Sequence, residues 1–310
     1  MENTRAKTTR NSLILLLTAT IWGMAFVSQS KGMDYMHPFT FNGVRSLIGA
    51  AGILVYILIS RKIAGDKAAK LDWKLNVKAG LLCGIFLTIA STLQQFGIKY
   101  TSVGKAGFIT TLYIIFVPMF GIFLKKKVAP VVWAAAGMAA VGMYLLCMTE
   151  SLRLGAGDIM VFLCAIAFAI QIMTVDHYAA RIDGAVVSCI QFTVCGVVCC
   201  IGALIWGQPT FGQIQEGLGA LLYAGVLSCG VGYTLQIVGQ KGLNPTVAAL
   251  IMSLESVIAT ISGWIAYKIG FLSTDQTLTP RQIAGCVIVF AAVILVQLPQ
   301  EWFRFGKKSA

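Results

Sequence analysis

The sequence predicts an all-α membrane protein: ten transmembrane helices built as two inverted five-helix repeats. Three observations carry that expectation. First, the composition is 57% hydrophobic and 12% charged, against about 45–50% apolar and about 25% charged in a globular domain, so too little charge is left to cover a water-exposed surface. The mean hydropathy of +0.81 agrees. Second, the apolar residues gather into ten runs, each near the roughly 20 residues that cross a bilayer as a helix. Third, a seven-residue phrase, L-Q-x-x-G-x-K, occurs at Leu93 to Lys99 and again at Leu235 to Lys241, 142 residues later in a chain of 310.

The first span, 12–31, follows a basic stretch and could pass for a signal peptide. Trp22 and Phe26 are bulky where a small-residue cleavage site would be needed, and further spans follow, so it is expected to stay as the first helix. The second span, 39–59, starts after Pro38. The third, 77–97, ends on the first copy of the phrase. The fourth, 104–124, holds Pro118, which should kink it by removing an amide and crowding the preceding turn. The fifth, 130–148, opens on Pro130, and the sixth and seventh are 157–175 and 184–206. The eighth, 217–238, carries the second copy of the phrase; the ninth, 246–268, follows Pro245; the tenth, 282–298, lies between Pro280 and Pro299. Apart from Pro118 the prolines sit at span starts, in loops such as that of Pro209, or after the last span, where a missing amide costs little.

Loop charge sets the orientation. With a cytoplasmic N-terminus, 17 of the 24 Lys and Arg fall on the inner side and six on the outer, with Arg45 inside a span. Both termini are then cytoplasmic. The phrase ends the third span of each half, and an odd number of crossings per half means that the second half enters from the opposite face. The repeats are therefore expected at 12–148 and 157–298, inverted about an axis in the membrane plane, with a site near the midplane between them. The offset of 142 holds through Gly97/Gly239 and Lys99/Lys241; beyond Ala106/Ala248 an offset of 138 fits nearly as well.

Ionisable and strongly polar side chains in lipid are costly and mark candidate sites. Glu255, near the middle of the ninth span, is the only carboxylate deep in any span. It is either a protonatable, cavity-facing group or a carboxyl that bonds a neighbouring helix. Arg45, one to two turns into the second span, either holds an anionic group bidentately or snorkels to the outer interface. Trp22-Gly23 in the first span is an aromatic wall beside a close backbone approach, or ordinary packing of large against small. Gln94, Gln95, Gln171, Gln191 and Gln236 either line a polar cavity or bond adjacent helices; Gln94 and Gln236 occupy equivalent sites of the repeat. Small-residue runs at Gly49 to Gly52, Ala134 to Gly137 with Gly142, and Gly217 to Ala220 are expected to let helices approach. Lys125-Lys126-Lys127 reads as a topology anchor, and Asp176-His177 and Asp183 as a solvated loop.

Other classes find little support. The net charge of +12 forms no basic stripe with interleaved aromatics, which argues against nucleic acid as a partner. The nine cysteines lie in apolar runs without a C-x-x-C; they read as small buried side chains, and an odd number argues against a disulfide framework. Cys195 and Cys199 share a helical face but make at most half a tetrahedral metal site. There is no Walker loop and no H-E-x-x-H, so neither an ATP-driven pump nor a cofactor or metal is expected.

Four stretches carry a family likeness: Ile21-Trp22-Gly23-Met24-Ala25-Phe26; His37-Pro38 through Arg45; Gly104-Lys105-Ala106-Gly107-Phe108 to Pro118; and Asn244-Pro245 through Ser253-Leu254-Glu255. With them the chain resembles the drug/metabolite transporter superfamily, and within it the EamA family of ten-helix carriers. One departure stands out: the family often has Glu-Pro-Val in the ninth helix, and here the sequence is Glu255-Ser256-Val257, which removes an expected kink. The resemblance implies ATP-independent transport of small organic solutes, often export of amino acids or other metabolites, across the plasma or inner membrane by alternating access. Symmetry and resemblance together put helices 1, 3, 4, 6, 8 and 9 around the cavity, with Glu255, Trp22, Gln94, Gln236 and Arg45 as the candidate residues. The expected partners are a small organic solute and the lipid bilayer, with proton coupling and a homodimer both open. The alternatives are a non-transporting membrane receptor or scaffold, and a membrane-embedded lipid-modifying enzyme, which would need paired acids or a histidine site that the sequence lacks.

Overall fold

The computed structural model describes residues 2–65, 71–124, 128–147, 155–273 and 276–297. Lys125 to Lys127 and Arg153 lie outside the described residues. The described chain is helical throughout. The first half comprises α1 (Glu2–Gly32), α2 (Pro38–Ala64), α3 (Trp73–Ile98), α4 (Val103–Thr111), α5 (Tyr113–Phe123) and α6 (Pro130–Cys147). The second comprises α7 (Ala156–Tyr178), α8 (Gly184–Gly202), α9 (Phe211–Glu216), α10 (Leu218–Leu222), α11 (Tyr233–Gln240), α12 (Pro245–Met252), α13 (Leu254–Lys268) and α14 (Pro280–Gln297). Two π-helical stretches, Ala203–Gly207 and Tyr223–Gly232, continue α8 and join α10 to α11.

Among the described residues, eight helical segments are long and apolar enough to cross a membrane, and Pro130–Leu145 and Pro280–Leu295 are shorter apolar helices. These two shorter helices are the fifth of each half and pack against one another. The outer faces carry large apolar side chains: Leu54, Val55, Tyr56, Leu58 and Ile59 on α2 are all exposed, a surface suited to lipid.

The helix starts follow from local chemistry. Pro38 and Pro245 open α2 and α12 at the first helical position, where a ring costs no hydrogen bond. Asp72, Ser102, Asp183 and Asn244 cap α3, α4, α8 and α12 by accepting from backbone amides two or three residues ahead. Asp183 is thus a cap rather than a free loop carboxylate. Asp176 and His177 fall in the last turns of α7 rather than in a loop.

Packing is symmetric under exchange of the halves. α2 lies on α8, and α6 on α14. The contact of α3 with α7 is mirrored by that of α11 with α1, and the contact of α1 with α13 by that of α7 with α5. The phrase glycines serve these contacts. A Cβ on Gly97 would lie 2.8 Å from the carbonyl oxygen of Gly157 in α7, and one on Gly239 would lie 2.7 Å from Leu15 in α1. The small-residue runs divide: a Cβ on Gly49 or Gly142 would lie 2.9 Å from the backbone of Gly225 or Gly285, whereas one on Gly52, Gly137 or Gly219 would meet nothing within 4 Å.

Both halves break their fourth helix. The break at Leu112 lies six residues before Pro118, not at it. Proline forbids the amide bond to Ile114, and the turn before it tightens: the Leu112 amide donates to Ile109 at 3.2 Å and the Ile115 amide to Leu112 at 2.9 Å, both the i to i−3 pattern of a 3₁₀ turn. The second half breaks at Ser253 although no proline follows Glu255. Serine takes proline's place. Ser253 Oγ donates to Leu250 O at 2.7 Å and Ser256 Oγ to Ser253 O at 2.8 Å, side-chain bonds that compete with the helical ladder.

An ion pair ties the start of α4 to the start of α7. Lys105 Nζ lies 2.6 Å from Asp158 Oδ2, and the carboxylate also accepts from Thr101 Oγ1 at 2.8 Å and from the Gly155 amide at 2.9 Å. Asp158 is 4% exposed at its side chain and Lys105 20%. Removing the acid leaves a half-desolvated ammonium and two unanswered donors. Asp158→Ala is expected to destabilise the protein by roughly 1–3 kcal/mol, read as a fall in Tm; an unchanged Tm would show that water replaces the pair at no cost.

Candidate functional site

The broken helices meet at the centre of the molecule. Tyr113 is the first residue of α5 and Glu255 the second of α13. Tyr113 Oη donates to Glu255 Oε1 at 3.0 Å, and both side chains are buried. The two positions are 142 residues apart, the spacing of the phrase. The bond thus joins a position of each matched half at the spacing of the repeated phrase, and at that spacing the residue opposite the acid is the tyrosine that bonds it.

Around that bond lies a cavity lined by all five residues singled out from the sequence: Trp22, Arg45, Gln94, Gln236 and Glu255. Trp22 stacks tilted on Tyr233 with ring centroids 4.5 Å apart, and Tyr233 meets the edge of Phe192 at 5.0 Å. Trp22 Nε1 reaches Ser228 O at 3.4 Å, a carbonyl in the widened π-helical stretch of the eighth span. Gln94 Nε2 donates to Thr110 Oγ1 at 3.2 Å, and Gln236 Nε2 to Gln171 Oε1 at 3.2 Å. The equivalent glutamines thus each hold a helix of their own half, α4 in one case and α7 in the other. Gly23 lets α1 close on α13: a Cβ there would lie 2.7 Å from Glu255 O and 2.6 Å from Ile258 Cβ.

Arg45 does not reach an outer interface. Its residue is 5% exposed, its guanidinium lies 5.3 Å from the Phe41 ring centroid, and it forms no ion pair with Glu255 among the described residues. Besides helices of the first, third, fourth, sixth, eighth and ninth spans, α2 contributes Arg45 and Ser46, and α8 contributes Phe192. The wall is therefore wider than symmetry and resemblance suggest. Sequence reading also missed Tyr113, Tyr233 and Ser228. For Tyr113 a signal existed, since it stands opposite Glu255 in the 142-residue alignment; for the others none did.

The cavity measures about 40 Å³ to the centre of a water-sized sphere, room for a few waters. No cluster of three or more metal-ligating side chains occurs among the described residues. Cys195 lies 3.4 Å from both Ser46 Oγ and Ser91 Oγ at the edge of the site.

The profile of the EamA-like transporter family matches residues 10–148 and 155–298. The chain belongs to the EamA-like transporter family. Similar proteins agree: an uncharacterized transporter of Archaeoglobus fulgidus is 28% identical over 92% of this chain and 84% of its own. The uncharacterized transporter YwfM of Bacillus subtilis is 24% identical over 92% of this chain and 93% of its own. A solved crystal structure superposes with a TM-score of 0.73 over 96% of this chain and 99% of its own, at 16% identity, and so shares the fold. This EamA-family chain is a multi-pass membrane protein of a transporter family.

Proposed function

We propose that this protein is a secondary, ATP-independent transporter that exports small organic metabolites across the plasma or inner membrane by alternating access. The units are two inverted five-helix repeats, 12–148 and 157–298, with both termini cytoplasmic and ten spans in all. α6 and α14, 18 residues each, are about 27 Å long at 1.5 Å per residue, close to the thickness of a hydrocarbon core.

The observation that carries the reading is the small polar cavity where Tyr113 and Glu255 meet from opposite halves. A site between inverted repeats is exposed to one face or the other by rocking one repeat against its counterpart. Broken helices beside it supply backbone that can shift at low cost. Glu255, Trp22, Gln94, Gln236 and Arg45 form the solute site, and Glu255 is the group at which a proton can be exchanged for coupling.

The test is flux. Proteoliposomes holding the purified protein and loaded with mixed metabolites are expected to release a subset of them without ATP, and faster under an imposed pH gradient if Glu255 couples a proton. Cells overproducing the protein are expected to accumulate the same compounds outside. A folded, inserted protein that releases nothing above empty vesicles would make it a receptor or scaffold instead.

A further inference from the structure

Arg45 is the charged group of the cavity left without a partner; Gln29 Oε1, an uncharged oxygen of the same wall, is likewise buried and unbonded. Arg45 is 5% exposed, and its Nε is sealed from solvent without a partner. Among the described residues it makes no ion pair. The Phe41 ring at 5.3 Å offsets only part of what burying a cation costs. Glu255 makes no ion pair with it among the described residues and bonds Tyr113 instead. The nearby amides are also engaged, Gln94 with Thr110 and Gln236 with Gln171. A buried guanidinium is ordinarily paired; here one negative charge is left to come from outside.

The wall beside it says what that charge is attached to. Trp22, Tyr233 and Phe192 form a continuous aromatic surface, with ring centroids 4.5 and 5.0 Å apart along the row. We propose that Arg45 is the counter-ion for a carboxylate on the solute, and that the cargo is a small organic monocarboxylate with an apolar or aromatic body. The planar guanidinium fork matches two carboxylate oxygens at once. A dianion fits badly, since its second charge would meet no free cation and would share the cavity with Glu255. That the ligand is carried rather than merely bound rests on the transporter reading above; the binding itself does not.

The experiment uses the full chain purified in detergent, titrated with phenylacetate, isovalerate, phenylacetamide and glutarate, with binding followed by calorimetry and Tm. The expected result is that phenylacetate or isovalerate binds about tenfold or more tightly than the amide and the dianion, as one charge-assisted pair predicts. Arg45→Met is expected to abolish that preference while raising the Tm of the ligand-free protein, because an unpaired buried charge has been removed. Arg45→Lys keeps the charge without the fork and is expected to bind more weakly, by about tenfold. Three results would overturn the proposal: acid and amide binding alike in the wild type, Arg45→Met keeping the preference, or Arg45→Met melting lower than wild type, which would make Arg45 a packing residue. Flux is read separately. Release of neutral or cationic solutes that Arg45→Met leaves intact refutes the carboxylate but upholds transport, whereas monocarboxylate binding with no flux does the reverse.

Discussion

Glu255→Gln is expected to abolish or uncouple transport while the protein still inserts and accumulates. Glutamine has nearly the shape of glutamic acid, and its Oε1 can accept from Tyr113 Oη as the carboxyl does at 3.0 Å. The helix break at Ser253 is held by serine bonds that the substitution does not touch. The change in stability should therefore stay within about 1 kcal/mol. What is lost is the exchangeable proton and the potential charge, at the bond that joins α5 to α13. If that group serves the transport cycle, flux should fall by at least about tenfold, equivalent to about 1.4 kcal/mol on the rate-limiting step. Tyr113→Phe is the companion. It removes the donor and leaves a buried acceptor unanswered, at a cost of about 1–3 kcal/mol in stability. If Glu255 only fastens α13 to α5, the tyrosine variant loses stability and the glutamine variant transports like the wild type. Wild-type flux in Glu255→Gln, with or without a pH gradient, would end the claim that its acid chemistry matters.

Gly23→Ala should be the most disruptive small substitution near the site. The added methyl would stand 2.7 Å from Glu255 O and 2.6 Å from Ile258 Cβ, and neither atom is the loose end of a flexible chain. α1 must move away from α13. Overpacking of this kind costs about 1–3 kcal/mol, against a gain of about 1 kcal/mol in helix propensity. The net stability loss is modest, and the functional loss is larger. The displaced backbone carries Trp22 on one side and Glu255 on the other, and displacements near 1 Å at a site can cost about a hundredfold in rate. The expected outcome is a folded protein with flux lowered by about tenfold or more. Gly137→Ala is the control, because nothing lies within 4 Å of the new methyl; its Tm should hold or rise. Equal flux from Gly23→Ala and wild type would show that the α1–α13 contact has no part in the cycle.

Much of the architecture was legible without coordinates. A chain of 57% hydrophobic residues with 12% charge leaves lipid as its solvent, and prolines and capping residues announce where helices start. The repeat phrase showed where to look for equivalence, and the scarcity of polar groups inside apolar runs made Glu255 and Arg45 conspicuous. Local rules failed where two causes lead to one shape. Pro118 was expected to bend its helix in place, but the tightened turn lies at Leu112. The missing proline after Glu255 left the local geometry of the ninth span open, and two serines break it there by taking backbone carbonyls. The π-helical stretch from Tyr223 to Gly232 left no mark in hydropathy, because widening a turn does not change which residues are apolar.

The sequence by itself determined the solvent, the helices, the halves and a short list of costly groups, since each depends on residue type and spacing along the chain. Only the tertiary structure decided which of those groups meet. Tyr113 reaches Glu255 across 142 residues and Gly23 accepts Ile258 across 235, contacts set by how each helix is rotated and how deep it sits. Neither quantity is written in a hydropathy pattern, which is blind to rotation once a helix is apolar on every side. For the same reason Arg45 looked equally suited to an interface or a cavity until its surroundings were known. It is buried beside Phe41 and makes no ion pair among the described residues.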